Sequence, residues 1–340
     1  MSKQEVSHEP VVLVVGGAGY VGSHVVKALH AQGLTLVVLD DLSSGHRQAL
    51  PPELPLLVGS MGDRLLLEKI FKTYRIAGLM HLGGLTQVAE SMADPQRYYN
   101  INVKQSQVLL AAAKAAAVPW IVFSSTASVY GAPDYLPMDE QHPLRPSNPY
   151  GDSKRQVESL LQNYADSYGL RYVTLRYFNA AGADPDGVLG EDRKDESHLI
   201  PLLCQFALGY RQQFTVCGTT WPTNDGTCVR DYVHVWDIAQ AHVVAMHYLM
   251  GGGVSECFNV GSGSGNSVLE VIRCLERVSG QPLRYVTGEA RPGDVATLVA
   301  SCQKIHRCLG FTPLHSELES MVRSAWRWHR EHPNGYGDDR

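Results

Sequence analysis

No stretch of this sequence approaches the ~18 apolar residues that a bilayer-spanning helix needs. The opening MSKQEVSHEP is polar and short, without an apolar signal region. Both absences lead us to expect a soluble cytoplasmic protein. The seven cysteines, Cys204, Cys217, Cys228, Cys257, Cys274, Cys302 and Cys308, show no CxxC or Cys/His metal spacing. Their odd number argues against a disulfide framework and for a reducing compartment, and no metal is expected. Positive charge is not in excess either. The 29 Lys and Arg against 34 Asp and Glu leave a formal net charge of −5, which gives no basic field for nucleic acid or an anionic membrane. Any bound phosphate must be held locally. Internal repeats and low-complexity tracts are also missing. What is there is a 340-residue chain, 44% hydrophobic and 19% charged, long enough for one large or two moderate domains.

The apolar runs are short and alternate with helical patterns. VVLVV (Val11–Val15) is followed by Val21, Val25, Val26 and Leu29 at helical spacing, then by LTLVVLD (Leu34–Asp40), the order of a βαβ unit. The alternation continues through IAGLMHL, a helix expected from about Tyr98 to Ala116, VPWIVFSS, a helix opening at Pro149, and RYVTLRYF. Nearly continuous apolar strands joined by helices imply a parallel sheet covered on both faces. The expected fold is therefore α/β, a doubly wound parallel-sheet Rossmann domain over residues 1–180 and a smaller mixed α/β substrate domain over 181–340. The Gly-, Asp- and Pro-rich AAGADPDGVLGEDRKDESH marks the boundary, and the segment around 230–262 is expected to return to the first domain.

Three stretches carry chemistry. GGAGYVGS, between the first strand and helix, satisfies G-x-x-G-x-x-G through Gly16, Gly19 and Gly22, and G-x-G-x-x-G through Gly17, Gly19 and Gly22. Such glycines allow the turn, let a pyrophosphate approach the backbone and aim a helix N-terminus at its charge. Asp40 ends the second strand about 20 residues on, where a carboxylate accepts from ribose hydroxyls and repels a 2′-phosphate, favouring NAD over NADP. FSSTASVYG places Ser124, Ser125 and Thr126 at the C-terminal end of a strand, where ligands of open α/β sheets collect. In SNPYGDSK, Pro149 suits a first helical turn, so Tyr150 and Lys154 share a helix face. An ammonium about 5 Å from a phenol, at an effective dielectric of about 20, favours phenolate by roughly 3 kcal/mol and makes the tyrosine a usable proton acceptor. Each stretch taken singly also has an ordinary structural reading: a plain corner, a hydroxyl-rich turn, a surface Tyr and Lys.

Together GGAGYVGSH, LDDLSSG, YYNINV, FSSTASVYG, PMDEQHPLRPSNPYGDSK and LRYFNAAGA resemble the extended short-chain dehydrogenase/reductase superfamily. GTTWPTNDGTCVRDYVHVWDIAQAH, FNVGSGSGNSVLEVI and ARPGD narrow the resemblance to the UDP-glucose 4-epimerase family, from about Val11 to the C-terminus. The resemblance implies Tyr150 as base, Lys154 as holder of the nicotinamide ribose and modulator of the tyrosine, and Thr126 in the third catalytic position. It implies NAD as a retained cofactor, C4 epimerisation through a 4-keto sugar that swings about its diphosphate link, and a homodimer joined through two helices of each first domain. It matches Gly16, Gly19, Tyr20, Val21, Gly22, Asp40, Leu42, Ser43, Ser60, Met61, Leu82, Gly83, Gly84, Thr86, Asn102 and Phe178 to cofactor positions, besides Tyr150 and Lys154. Asn179, His198, Leu199, Arg230, Arg291, Asp294 and Leu298 match positions beside the UDP-sugar together with Thr126, and Phe214, Thr215 and Val216 lie beside the uracil. Two arginines are the donors a diphosphate needs in an acidic protein.

The chain departs from the family pattern at several places. Ser60 stands where an Asp usually meets the adenine amine, with Asp63 nearby as a substitute. Thr86 replaces a lysine, Cys217 an aromatic residue near the uracil, and Val15 a threonine. Leu298 replaces a tyrosine that accompanies restriction to UDP-glucose and UDP-galactose, which leaves room for the N-acetylated pair. A 4,6-dehydratase needs an Asp-Glu pair where this chain has Ala127 and Ser128. A UDP-pentose or UDP-uronate 4-epimerase stays open as an alternative, and a non-catalytic NAD-binding sensor is the reading from another class.

Overall fold

The computed structural model describes residues 7–291 and 293–337. Along the chain the strands are β1 (Ser7–Val15), β2 (Leu36–Asp40), β3 (Leu56–Val58), β4 (Tyr74–His81), β5 (Trp120–Thr126), β6 (Arg171–Tyr177), β7 (Asn179–Ala181), β8 (Thr215–Cys217), β9 (Val229–His234), β10 (Glu256–Val260), β11 (Gly265–Ser267), β12 (Val286–Gly288) and β13 (Thr297–Leu298). The helices are α1 (Tyr20–Ala31), α2 (Arg64–Thr73), α3 (Val88–Ala93), α4 (Pro95–Tyr98), α5 (Gln105–Ala115), α6 (Pro149–Tyr168), α7 (Leu199–Ala207), α8 (Val235–Met250), α9 (Val268–Ser279), α10 (Gln303–Leu309) and α11 (Leu318–Glu331). No helix among the described residues is long and apolar enough to cross a membrane.

The chain divides into two compact units that interleave in sequence. The first contains the described residues up to Gly131, Leu144–Arg176 and Ala239–Phe258; the second contains Ala132–Pro143, Tyr177–Ile238 and the described residues from Asn259 onward. The first is built on a seven-stranded parallel sheet ordered β10-β6-β5-β4-β1-β2-β3. Its strands are apolar on both faces because both are covered. Val11, Leu13, Val15, Val37, Leu39, Leu79, Ile121 and Phe123 pack with Leu67 and Ile70 of α2, Leu109 and Leu110 of α5, and Val157 and Leu161 of α6. The alternate residues Val14 and Val38 point the other way, where Gly17 lets them meet Val26 of α1.

From β1 the chain adds β2 and β3 on one side and then crosses to β4 on the other. That reversal at β1/β4 is a topological switch point, where the C-terminal strand ends open a crevice for a ligand. The expected helix from Tyr98 to Ala116 is interrupted: Tyr99–Lys104 forms a π-helical turn between α4 and α5. Such turns concentrate at functional sites, and side-chain periodicity alone does not reveal the extra residue.

The second unit carries the β11-β9-β13 sheet, with β7 also pairing β9, and a separate β12-β8 pair. Its core packs Ile200, Leu203 and Cys204 of α7 with Phe214, Val216, Tyr232, Val271, Leu275 and Met321.

Gly78 shows how tightly the first sheet is packed. The Trp120 indole occupies the space of its missing side chain, since a Cβ there would lie 2.0 Å from Trp120 Cζ2. Gly78→Ala is expected to cost about 1–3 kcal/mol through overpacking. Urea unfolding measures it, and an unchanged midpoint would refute this packing account.

Candidate active site

The glycine turn is fixed by backbone that has no space to spare. Gly16 has φ +77, and a Cβ on it would sit 2.5 Å from the Gly83 amide nitrogen; one on Gly22 would sit 2.0 Å from the Gly16 carbonyl oxygen. Gly19 is different, because its Cβ would meet only Gly16 O, at 3.6 Å. It is the N-cap of α1, and no side chain caps that helix. First-turn amides of a helix without a side-chain cap, beside an open glycine, suit an anionic group. They fit the pyrophosphate of a dinucleotide.

Asp40 ends β2 beside this turn. Its Oδ2 accepts from Ala18 N and its Oδ1 from Leu42 N, each at 2.9 Å. Burial pushes its carboxyl pKa up, and those two amides pull it back. Each oxygen keeps a lone pair for a hydroxyl donor. Leu42 pays with a φ of +59, strained backbone for a branched residue. Ser43 lies next along, its amide donating to Asp41 Oδ1.

The opposite wall follows β4. Leu82 N donates to Val15 O, and Gly83 leaves space shared by Met61 and Val15. Asn102, from the π-helical turn, accepts Leu85 N at 2.8 Å and donates to Leu85 O and to Ser153 Oγ. That pins the loop from Leu82 to Thr86 against α6. Tyr98 adds a second pin: its hydroxyl donates to Gln87 O and accepts Gln87 N, and its ring meets the Tyr150 ring edge-on at 6.4 Å. Ser60 is turned inward, donating to Gln105 Oε1 and accepting Gly62 N, while Asp63 caps α2 by accepting Leu65 N and Leu66 N. Tyr20 and Val21 open α1, with the Tyr20 ring edge-on to His24.

Tyr150 and Lys154 lie on α6 as its opening sequence dictates. Pro149 starts the helix, and the Asn148 side chain caps it by accepting Gly151 N at 2.8 Å. Gly151 has no Cβ because Ser128 O would be 2.3 Å away, which sets the Tyr150 turn against the turn that follows Thr126. Thr126 Oγ1 accepts Ser128 N, so its own proton remains available to donate. Tyr150, Thr126 and Lys154 are all buried, at 7%, 7% and 3% exposure. Lys154 Nζ donates to Ser124 O at 3.1 Å, lies 5.0 Å over the Phe123 ring, and comes within 3.6 Å of where a Gly84 side chain would begin. Burial pushes its pKa down to about 8, with the Glu158 carboxylate working against that shift.

A second constellation belongs to the second unit. Arg230 on β9 donates to the Val229 and Val295 carbonyls, with Nη2 3.6 Å from Asp294; Arg291 Nε reaches the other oxygen of Asp294 at 3.3 Å. Leu298 is the parallel register partner of Arg230. Thr215 and Val216 lie on β8, Phe214 just before it is buried against Phe206, and Cys217 is half-buried. His198 stands at the N-cap position of α7 ahead of Leu199 without a side-chain capping bond, and its Nδ1 is 2.7 Å from Glu196 and 3.2 Å from Glu191. Burial works against its charge, but those carboxylates raise its pKa. Phe178 is buried and Asn179 pairs Tyr232 on β9.

Sequence reasoning missed Glu191 and Glu196 beside His198, Gln105 behind Ser60, Tyr98 beside Tyr150, and Glu158 with Arg176 near Lys154. Only Glu158 had a visible signal, one helical turn beyond Lys154.

The chain is similar to known proteins along nearly its whole length. The chain is 44% identical to a UDP-glucose 4-epimerase of Lacticaseibacillus casei over 96% of its own length and 99% of the relative's. A solved UDP-glucose 4-epimerase from Brucella ovis in complex with NAD superposes with a TM-score of 0.91 at 40% identity, covering 94% of this chain and 98% of that one. Another from Bifidobacterium longum, in complex with NAD+ and UDP, gives 0.91 at 35% identity, covering 96% and 99%. The NAD dependent epimerase/dehydratase family pattern matches residues 12–261, and the chain belongs to that family.

Proposed function

We propose that the protein is an NAD-dependent isomerase that inverts C4 of UDP-hexoses, interconverting UDP-galactose and UDP-glucose through a 4-keto sugar. The observation that carries this reading is the buried Tyr150 and Lys154 on one helix turn, walled by Gly84 and Thr126 at the C-terminal edge of a glycine-turn sheet.

Gly19 and the first amides of α1 would hold the pyrophosphate of NAD, and Asp40 its adenosine ribose. When bound, NAD supplies a hydride acceptor and donor for the sugar carbon. Tyr150 Oη takes the proton of the C4 hydroxyl and later gives it back. The Lys154 ammonium favours the phenolate that this requires. Thr126 donates to the same sugar oxygen and fixes its direction. Arg230 and Arg291, held by Asp294, grip the diphosphate through charge-assisted bonds, with His198 at the α7 N-terminus. Holding the diphosphate and leaving the ring loose lets the sugar present either face. The homodimer implied by the family resemblance and a reducing, cytoplasmic setting belong to the same reading; none of the seven cysteines forms a disulfide, which suits the latter.

The proposal extends to the N-acetylated pair, UDP-GlcNAc and UDP-GalNAc. Leu298 is half-buried beside Arg230 and brings neither the ring nor the hydroxyl of a tyrosine to that place.

Three outcomes are expected. Tyr150→Phe keeps the fold, checked by circular dichroism, and loses at least ~10²-fold in epimerisation rate, the lower end of a general base's contribution; near-normal turnover would remove Tyr150 from its role. Cofactor released from the purified protein by denaturation is NAD(H) by mass, and a preponderance of NADP(H) would contradict the role given to Asp40. Wild-type protein converts UDP-GalNAc, whereas Leu298→Tyr loses that conversion and retains UDP-galactose turnover. Brisk wild-type action on UDP-galactose with none on UDP-GalNAc would end the extension, since packing differences are worth only ~1–3 kcal/mol and neighbours would then have closed the space.

A further inference from the structure

Beyond Lys154 the same helix brings a carboxylate that the proposed mechanism does not use. Glu158 stands one turn further along α6 and is buried, as is its partner Arg176 on β6. Arg176 grips it with two donors: Nε to Oε1 at 3.0 Å and Nη2 to Oε2 at 2.6 Å. Ser125 Oγ donates to Oε1 at 2.5 Å, and Arg176 Nη1 donates to the Tyr130 hydroxyl at 3.0 Å. Consecutive residues of β5 therefore hold the two ends of this arrangement. The Ser124 carbonyl accepts from Lys154, and the Ser125 hydroxyl donates to Glu158.

A buried ion pair of this kind contributes little net stability compared with apolar residues of the same volume. Here it sits beside a second buried cation, so two cations share one carboxylate. The geometry points to Glu158 as a positioning residue: clamped by Arg176 and Ser125, it holds Lys154 as an ammonium against the Ser124 carbonyl, and Arg176 limits how strongly it does so. The inference rests on the reading of Lys154 as the cation that supports Tyr150.

Among the described residues, the groups around Lys154 leave the carboxylate as the one anion that favours its charge. Tyr150 and Glu158 share its helix, His81 faces it from β4, Arg176 reaches it through Glu158 from β6, and Tyr98 lies behind the Tyr150 ring. His81 adds no charge at working pH, because burial pushes its pKa down to about 3. Burial also lowers Lys154 to about 8 while Glu158 resists, so the ammonium is present below that pH and is lost as pH rises through it. An opposite charge about one helical turn away, at an effective dielectric near 20, displaces a titration by roughly two pH units, part of which Arg176 takes back.

The test titrates protein labelled with ε-13C-lysine, used as purified with its bound dinucleotide, and identifies the Lys154 resonance from its loss in Lys154→Met. In wild type its midpoint is expected at about 8. Glu158→Gln, nearly isosteric, lowers the midpoint by about one pH unit or more, because an unpaired guanidinium replaces a neutral pair. Arg176→Gln raises it, because the carboxylate then faces Lys154 alone. The double variant falls between the two, and the alkaline limb of epimerisation moves in the same order. General disruption of packing would not move the two single variants in opposite directions. An unmoved midpoint in Glu158→Gln, or shifts of one sign in both single variants, overturns the inference. Should Glu158→Gln not fold, the rise in Arg176→Gln, or its absence, decides. The NMR midpoint is read without turnover, so a failure of the epimerase reading leaves this outcome separate.

Discussion

A single buried ammonium organises the first unit. Lys154 has left water at an expense that shows in its lowered pKa, and three groups offset that loss: the Ser124 carbonyl and the face of Phe123, which it meets directly, and the charge of the carboxylate one turn along its own helix. These partners come from the C-terminal end of β5 and from α6, so the cation can be satisfied only if helix and strand are set in this register. Gly84 and Gly151 serve the same end. The first lets a loop pass close to the ammonium, and the second lets the Tyr150 turn sit on the Ser128 carbonyl. Side chains at either place would push apart the groups whose spacing the chemistry needs.

Much of this was legible from local patterns. The β1-α1-β2 unit announced itself through continuous β-branched runs and a helix-spaced stripe, since those periodicities follow directly from burial on both faces. The glycine turn and Asp40 were readable because each glycine answers a specific steric demand, seen in the near contacts at Gly16 and Gly22. The π-helical turn at Tyr99–Lys104 was not readable, because one added residue in a turn changes which face each later side chain takes without changing composition. Ser60 was read from its place in a pattern, but its hydroxyl is committed to Gln105, 45 residues away in sequence, and no local rule sees such a partner. Arg176 was hidden for the same reason. Inside RYVTLRYF it looks like an outward strand residue, and only the position of α6 turns it into a buried partner of Glu158.

The acidic balance of the chain shapes how it handles an anionic ligand. With no general basic field to draw a diphosphate, attraction has to be local and the positive groups have to be restrained. Asp294 does this in the second unit by taking both Arg230 and Arg291 as partners, which orders two long side chains without neutralising both of them. Glu191 and Glu196 do the equivalent for His198, raising the pKa of an imidazole whose charge burial alone disfavours. The glycine turn needs no side-chain charge at all, because the uncapped first turn of α1 presents its amides directly.

Elements of different rigidity carry the two kinds of work. In the proposed function, proton transfer tolerates little misplacement, and the residues given that task sit on rigid elements: Tyr150 and Lys154 on a 20-residue helix and Thr126 at the end of a seven-residue buried strand. The second unit's candidate ligands sit instead on strands of two and three residues, β13 and β8, and on the turn that carries Arg291. Charge-assisted bonds to a diphosphate fall off slowly with distance and accept several geometries. Such a grip survives modest movement of short elements, and a sugar that must present two opposite faces to one base benefits from being tethered this way. In the proposed function the same looseness makes specificity sensitive to single side chains such as Leu298. Where the backbone does not clamp the ring, the volume of a neighbouring residue becomes the main limit on what the C2 substituent can be.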